Sequence, residues 1–308
     1  MTAHATALAA EEAVELAHAW AHQLAQSVGA RALFIKGPAL HRLALRAQRS
    51  SLDIDVLTSP DDFARVCDAL EAAGWRERDL TFLMTNAPNH SRSFIHPEWP
   101  CDIDVHSSYP GFLADPGEVF DLLWQRRTSM IFATVECPVP DRPSSALFLA
   151  LHSLRSTASQ GRNREELAQL AAAPFTPEEQ EQLSALAAQT GSTEPVRTVL
   201  ATLGIRASAP SRPLNHEALH TWRLQAEVVD TASGTARWLQ ALRATPMARR
   251  PAVLRQAIWP SDHDLLLTRP GLADSPRARN AARRQRLLKG IAALPRVVQA
   301  AWKSRRQR

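Results

Sequence analysis

Cysteine is scarce: three residues, Cys67, Cys101 and Cys137, odd in number and far apart. That excludes a disulfide framework and a close-paired zinc site, and points to a reduced, cytoplasmic protein. Long apolar runs are missing as well, for none approaches the roughly 20 residues that span a bilayer. The N-terminus begins polar and turns amphipathic, without the charged-then-apolar order of a signal peptide. Aromatic residues make up 6% of the chain, and most of the eight tryptophans stand singly in helical segments. Core packing is the default there, so base stacking gains little support. No internal repeat is visible. Apolar residues, by contrast, make up 45% of 308, enough for two modest domains or for one with a large appendage.

Charge is unevenly placed. Of the 36 Lys and Arg, 12 lie in residues 269–308 against a single acid, Asp274, leaving 24 basic and 30 acidic residues before them. The formal +5 therefore belongs to a basic tail on a mildly acidic body. Leu287, Leu288, Ile291, Leu294, Val298 and Trp302 can form an apolar stripe on a tail helix interrupted at Pro295. Such a segment suits an acidic partner, RNA or an anionic membrane surface, or simply docks on the body.

Apolar spacing predicts an opening helix over about 7–27, a short buried strand at 32–35, and a helix from Pro38 through Leu45. A second strand follows at 52–57. Ser59-Pro60-Asp61-Asp62 then starts a helix that ends near Gly74. After an irregular stretch rich in Asn, His and Pro come strands at 93–96 and 101–106, a helix at 119–126 and a strand at 130–136. Beyond Pro143 the periodic segments are helical: about 144–158, 163–173, 176–189, 193–203, 215–231 and 234–244, with prolines as punctuation. The expected fold class is α+β: an N-terminal mixed sheet with flanking helices, then an all-helical C-terminal domain. The expected divisions are 1–140, 141–268 and the tail 269–308.

The informative anomaly is acid inside apolar strands. Strand geometry sends Asp53 and Asp55 to one face, and neighbouring carboxylates resist joint ionisation unless a cation lies between them. Cys101-Asp102-Ile103-Asp104-Val105-His106 repeats the pattern, with Asp102, Asp104 and His106 on one face. If the strands are neighbours, carboxylates converge where Mg²⁺ or Mn²⁺ would accept them and leave positions for substrate phosphates. That assembly suits two-metal phosphoryl-type transfer, with Asp53 and Asp55 bridging the ions and Asp104 binding the catalytic ion beside the acceptor. Upstream, Lys36-Gly37 opens a helix where backbone N–H groups can approach phosphate.

Phe34-Ile35-Lys36-Gly37-Pro38-Ala39-Leu40, then Arg49, Asp53-Ile54-Asp55 and Ile103-Asp104-Val105-His106, together resemble the uncharacterised nucleotidyltransferase family of the polymerase-β-like superfamily. The layout is also similar to that of abortive-infection nucleotidyltransferase toxins. The resemblance covers residues 30–110, and more weakly the helix with Leu151-His152. It implies an enzyme that moves a nucleoside monophosphate from an NTP to an acceptor hydroxyl or phosphate, on a peptide or a small molecule. RNA-directed transfer by a toxin and a non-catalytic binding module are the alternatives. Gly37 and the carboxylates Asp53, Asp55 and Asp104 carry over as site residues, with Lys36 and Arg49 as phosphate contacts or supporting charges. The superfamily's Gly-Ser turn is Gly37-Pro38 here, so Ser50 and Ser51 are the candidates to replace the lost hydroxyl. His106 reads as a supporting histidine bonded to the cluster, and Asp102 as a solvated neighbour. His152 reads as a satisfied core residue, and Asp262-His263-Asp264 as a polar loop rather than a ligand set.

Overall fold

Leu33, Phe34 and Ile35 are wholly buried, as their apolar run requires, and they form the edge strand of a five-stranded sheet. A computed structural model describes residues 8–79, 90–155, 160–231, 238, 241–242, 245–269, 271–273 and 275–306. Contacts divide the chain into two units, residues 1–78 with 90–222 and residues 79–89 with 223–308.

In the first unit the order is α1 (Ala10–Ser27), β1 (Ala32–Ile35), α2 (Pro38–Arg42), β2 (Asp53–Thr58), α3 (Pro60–Ala72), β3 (Arg76–Glu77), β4 (Ser91–Ile95) and β5 (Asp102–His106). Then come α4 (Pro116–Gln125), β6 (Thr128–Phe132), β7 (Val135–Val139), α5 (Arg142–Arg155), α6 (Gln160–Ala172), α7 (Pro177–Gln189) and α8 (Arg197–Thr202). A further helix, α9, spans His216–Thr231. The sheet order is β1-β2-β5-β4-β3, with β2 and β5 parallel and every other pair antiparallel. The return through α3, β3 and β4 lays β5 directly against β2.

Register assigns the two faces. Phe34, Ile54, Val56, Phe94, Ile103 and Val105 share one face and pack with Val14 and Ala17 of α1 and Val66 and Leu70 of α3. The other face carries Leu33, Ile35 and Leu57 at one end, packed into a second core with Phe148 and Leu151 of α5. The acids share this face with His106 and Ser93. At α3 the expected start is met: Ser59 accepts the Asp62 N–H, and Pro60 occupies the first turn, satisfying donors that a helix start leaves open.

Two expectations change. The single strand over 130–136 is instead a hairpin, β6 and β7, because Ala133 (φ 42°) and Thr134 (φ 71°) make a two-residue turn with both central residues left-handed. Nothing in an Ala-Thr pair announces such a turn. The helix from Pro38 stops at Arg42, and Ala44 takes φ 54°. The irregular stretch at 80–89 and most of the helix expected at 234–244 lie outside the described residues.

In the second unit, α10 (Arg250–Ile258), α11 (Asp262–Thr268) and α12 (Pro276–Arg306) bury Val253, Leu265 and Ala282 respectively. The tail helix runs through Pro295 without interruption, and Leu288 and Ile291 are exposed. Asp262-His263-Asp264 is the first turn of α11 rather than a loop. Ser261 caps it, Asp262 pairs with Arg279 and Arg283, and Asp264 accepts Gln256 Nε2 at 2.6 Å. Among the described residues no helix is long and apolar enough to cross a membrane.

Candidate active site

The parallel pairing of β2 and β5 sets Asp53 opposite Asp102 and Asp55 opposite Asp104, with Leu57 opposite His106. Paired residues in a parallel ladder share a face, so all four acids and the histidine project from the same side. Their surroundings then separate them.

Asp55 is buried, and its Oδ1 receives both Lys36 Nζ at 2.6 Å and His106 Nε2 at 2.9 Å. Burial alone would raise its proton affinity, but the Lys36 ammonium and the His106 bond outweigh that and hold the carboxyl well below its ordinary range. Burial likewise opposes the Lys36 charge, and Asp55 reverses it, keeping the ammonium protonated beyond its usual range. Asp104 goes the other way. Burial and the charge of Asp55 raise its pKa, against a hydrogen bond from Ser93, its partner on β4.

Asp55, Asp104 and His106 each bring a ligand atom within 4.8 Å of the others. His106 Nε2 bonds the Asp55 carboxylate, and its Nδ1 is buried with no partner among the described residues. A repelling carboxylate pair beside an imidazole is a donor set that a divalent cation fits.

The outer acids are held locally. Asp53 accepts the Ser51 hydroxyl at 2.9 Å and stands outside the three-ligand group, although its charge still reaches Asp104. Asp102 pairs with Arg78, and Arg78 is half exposed. Ser51 thus serves Asp53, while the Ser50 hydroxyl donates to Glu11 Oε1 at 2.6 Å.

Lys36 (φ 65°) and Gly37 (φ 55°, ψ −140°) form a strained turn between β1 and α2. A Cβ on Gly37 would meet only the His18 ring at 3.9 Å, ordinary contact, so backbone conformation rather than space calls for glycine there. The helix it opens has only five residues, so its dipole is short. Arg49 reaches back to Glu166 on α6 at 2.5 Å, and Arg46 shares the same carboxylate oxygen at 2.8 Å.

Sequence reasoning missed several residues that line this region. Tyr109 is buried with its hydroxyl unpartnered among the described residues, and Lys36 Nζ lies 5.6 Å from its ring centre. Arg155 stands 5.5 Å from the same ring and 3.4 Å from His90 Nε2. His152 is not the satisfied core residue expected. Its Nδ1 lacks a partner among the described residues, and burial, helped by Lys36 and Arg155, lowers its pKa to about 4. Glu166 did leave a sequence signal: it occupies a buried position on α6 in line with Asn163 and Leu170.

No curated protein matches the chain. Among solved structures, the lincomycin-bound lincosamide adenylyltransferase LnuA is 16% identical, covering 56% of this chain and 94% of its own, with a TM-score of 0.32. An antigenic nucleotidyltransferase-like protein from Paracoccidioides brasiliensis is 12% identical over 65% of this chain and 96% of its own, at 0.39. A tRNA nucleotidyltransferase bound to primer tRNA and an ATP analogue is 13% identical over 93% and 98%, at 0.26. These likenesses are distant, and the assignment comes from the family model for uncharacterised nucleotidyltransferases, which matches residues 1–206: the chain belongs to that family.

Proposed function

We propose that the chain is a divalent-cation-dependent enzyme that transfers a nucleoside monophosphate from an NTP to an acceptor hydroxyl or phosphate. The observation that carries this reading is the convergence of Asp55, Asp104 and His106 beside Lys36 on one sheet face, in a chain of nucleotidyltransferase lineage. Asp55 and Asp104 would hold Mg²⁺ or Mn²⁺, with Asp53 as the further carboxylate that a two-ion site needs. When bound, the cation neutralises charge on the phosphates and on the departing pyrophosphate.

The chain's own residues divide the remaining work. In the transfer, an acceptor oxygen forms a bond to the α-phosphorus, and the bond from that phosphorus to the bridging oxygen of the β-phosphate breaks to release pyrophosphate. Asp104 is the group to help deprotonate the acceptor. Asp55 stays ionised under Lys36 and His106. Lys36 and Arg49 face the triphosphate as cations, and Gly37 allows the turn that positions Lys36. His106 orients Asp55. In this division residues 1–140 form the catalytic part, 141–268 its helical companion and 269–308 a basic tail. A small molecule or peptide is the acceptor class to screen first.

The test is a calorimetric titration with each NTP, with and without Mn²⁺, on wild type and Asp104→Asn. Metal-dependent binding in wild type that disappears in the variant is the expected result. A folded wild-type protein that binds no NTP and releases no pyrophosphate with any acceptor would sink the reading.

A further inference from the structure

Glu166 is 4% exposed on α6, yet it is the meeting point of three polar side chains. Its Oε1 accepts Arg46 Nη1 at 2.8 Å and Arg49 Nη1 at 2.5 Å, and its Oε2 accepts the Ser153 hydroxyl at 3.1 Å. Arg46 continues the chain of contacts. Its second terminal nitrogen, Nη2, donates to the Gly37 carbonyl at 3.0 Å. A connected path therefore runs from Ser153 on α5 through Glu166 and Arg46 to the strained Lys36–Gly37 turn.

Two further bonds hold the same loop. Gln169, one turn along α6 from Glu166, accepts the Ala47 N–H at 2.8 Å, and Arg142 at the start of α5 donates to the Leu43 carbonyl at 2.9 Å. Simple packing would not call for buried charge here. Withdrawing such groups from water is costly, and apolar replacements are often as stable. What charge supplies is geometry: one guanidinium fork spans a carboxylate and a carbonyl in fixed directions. Backbone held in sparsely populated conformations persists only where its surroundings over-determine it, and Lys36, just before Gly37, is so held. The two arginines are also unequal. The Arg46 side chain is 7% exposed and bonds Gly37, whereas that of Arg49 is 39% exposed and stands outside the path to the turn.

We propose that Glu166 is a positioning residue that acts through Arg46 to fix the Lys36–Gly37 turn, and so sets Lys36 against Asp55 for nucleotide binding. The brace itself is a statement about this turn; only its consequence for nucleotide rests on the nucleotidyltransferase reading.

Amide hydrogen exchange on the full chain, metal-free, tests the brace without any ligand. The amides of Leu43, Ala44 and Leu45 close α2 and its exit. In Glu166→Gln and Arg46→Lys they should exchange about tenfold faster, the factor expected for the loss of one hydrogen bond to a charged group, while peptides covering β2 and β5 keep wild-type protection. Arg49→Gln should leave the turn protected. With Mn²⁺ present, NTP affinity should fall about tenfold in the first two variants, with Mn²⁺ affinity alone unchanged. Should Glu166→Gln fail to fold, Arg46→Lys carries the test, since a lysine keeps the charge but cannot span both acceptors. Unaltered protection of the turn in the folded variants, or faster exchange spread evenly over the chain, overturns the proposal. A wild type that binds no NTP would instead count against the nucleotidyltransferase reading, and the exchange result would still decide the brace.

Discussion

The tetrapeptide Asp-Ile-Asp-Val occurs twice, at 53–56 in β2 and at 102–105 in β5, and the two copies lie side by side in register. In both, the first acid is at the rim and locally tied, to Ser51 in one strand and to Arg78 in the other. Of the second acids Asp55 is buried and Asp104 half-buried, and Asp55 is pushed towards ionisation while Asp104 is pushed towards protonation. Local sequence is the same. What differs is that Lys36 and His106 both spend their hydrogen bonds on Asp55, leaving Asp104 with burial and the charge of Asp55, offset in part by Ser93. A pair of titratable groups driven apart in this way is the arrangement that lets one carboxylate stay charged while its neighbour handles a proton.

The largest expected effect comes from breaking the favoured member. Asp55→Asn leaves the Lys36 ammonium buried without its counter-charge, and urea denaturation of the metal-free protein should show a loss of about 3–5 kcal/mol. An unchanged unfolding midpoint would mean that Lys36 does not depend on Asp55.

Asp104→Asn should act in the opposite direction. It removes a repulsion, so the metal-free protein should be as stable as wild type or more so, even though metal-dependent nucleotide binding is lost. The pH dependence sharpens the contrast. Asp104 has a raised folded pKa, so its contribution is fully present below the ordinary value of 3.8 and is lost as pH rises through the raised one. Asp55 has a depressed folded pKa, so its contribution is present above 3.8 and is lost as pH falls through the lowered one. Metal-free denaturation curves from pH 4 upward should therefore lose a downward slope in Asp104→Asn. A slope identical to wild type would refute the assignment.

The rim acids give the smallest effects. Ser51→Ala removes one hydrogen bond to Asp53 and should cost about 1 kcal/mol. Arg78→Ala breaks a half-exposed pair and should change stability by less than about 0.5 kcal/mol, leaving Mn²⁺ binding intact. Equal effects at rim and centre would remove the distinction drawn here between the two positions in each strand.

Much of this was legible from residue patterns. Alternation in Leu52–Leu57 and Cys101–His106 placed the acids on one face, and Ser59-Pro60 started α3 where it begins. Lys-Gly followed by Asp-x-Asp carried the family resemblance through to a family match. The hairpin turn at Ala133-Thr134 was hidden because its left-handed residues are not the usual glycine and asparagine. The partners of Glu166 were hidden for another reason. A single acid on an apolar helix face declares an unmet need for partners, but Arg46 and Arg49 lie some 120 residues earlier, and no local rule reaches that far.

The sequence by itself determined which side of each strand is polar, because the pleat repeats every two residues. It determined also that a Lys-Gly turn opening a helix precedes the first acids. Only the tertiary structure decided that β5 pairs with β2 rather than with another strand, and hence that Asp104 meets Asp55. It alone selected Lys36 and His106 as partners of one acid and not the other. Strand pairing, burial and charge proximity are non-local: they depend on how the chain returns through α3, β3 and β4, and two identical tetrapeptides acquire opposite proton affinities from their neighbours.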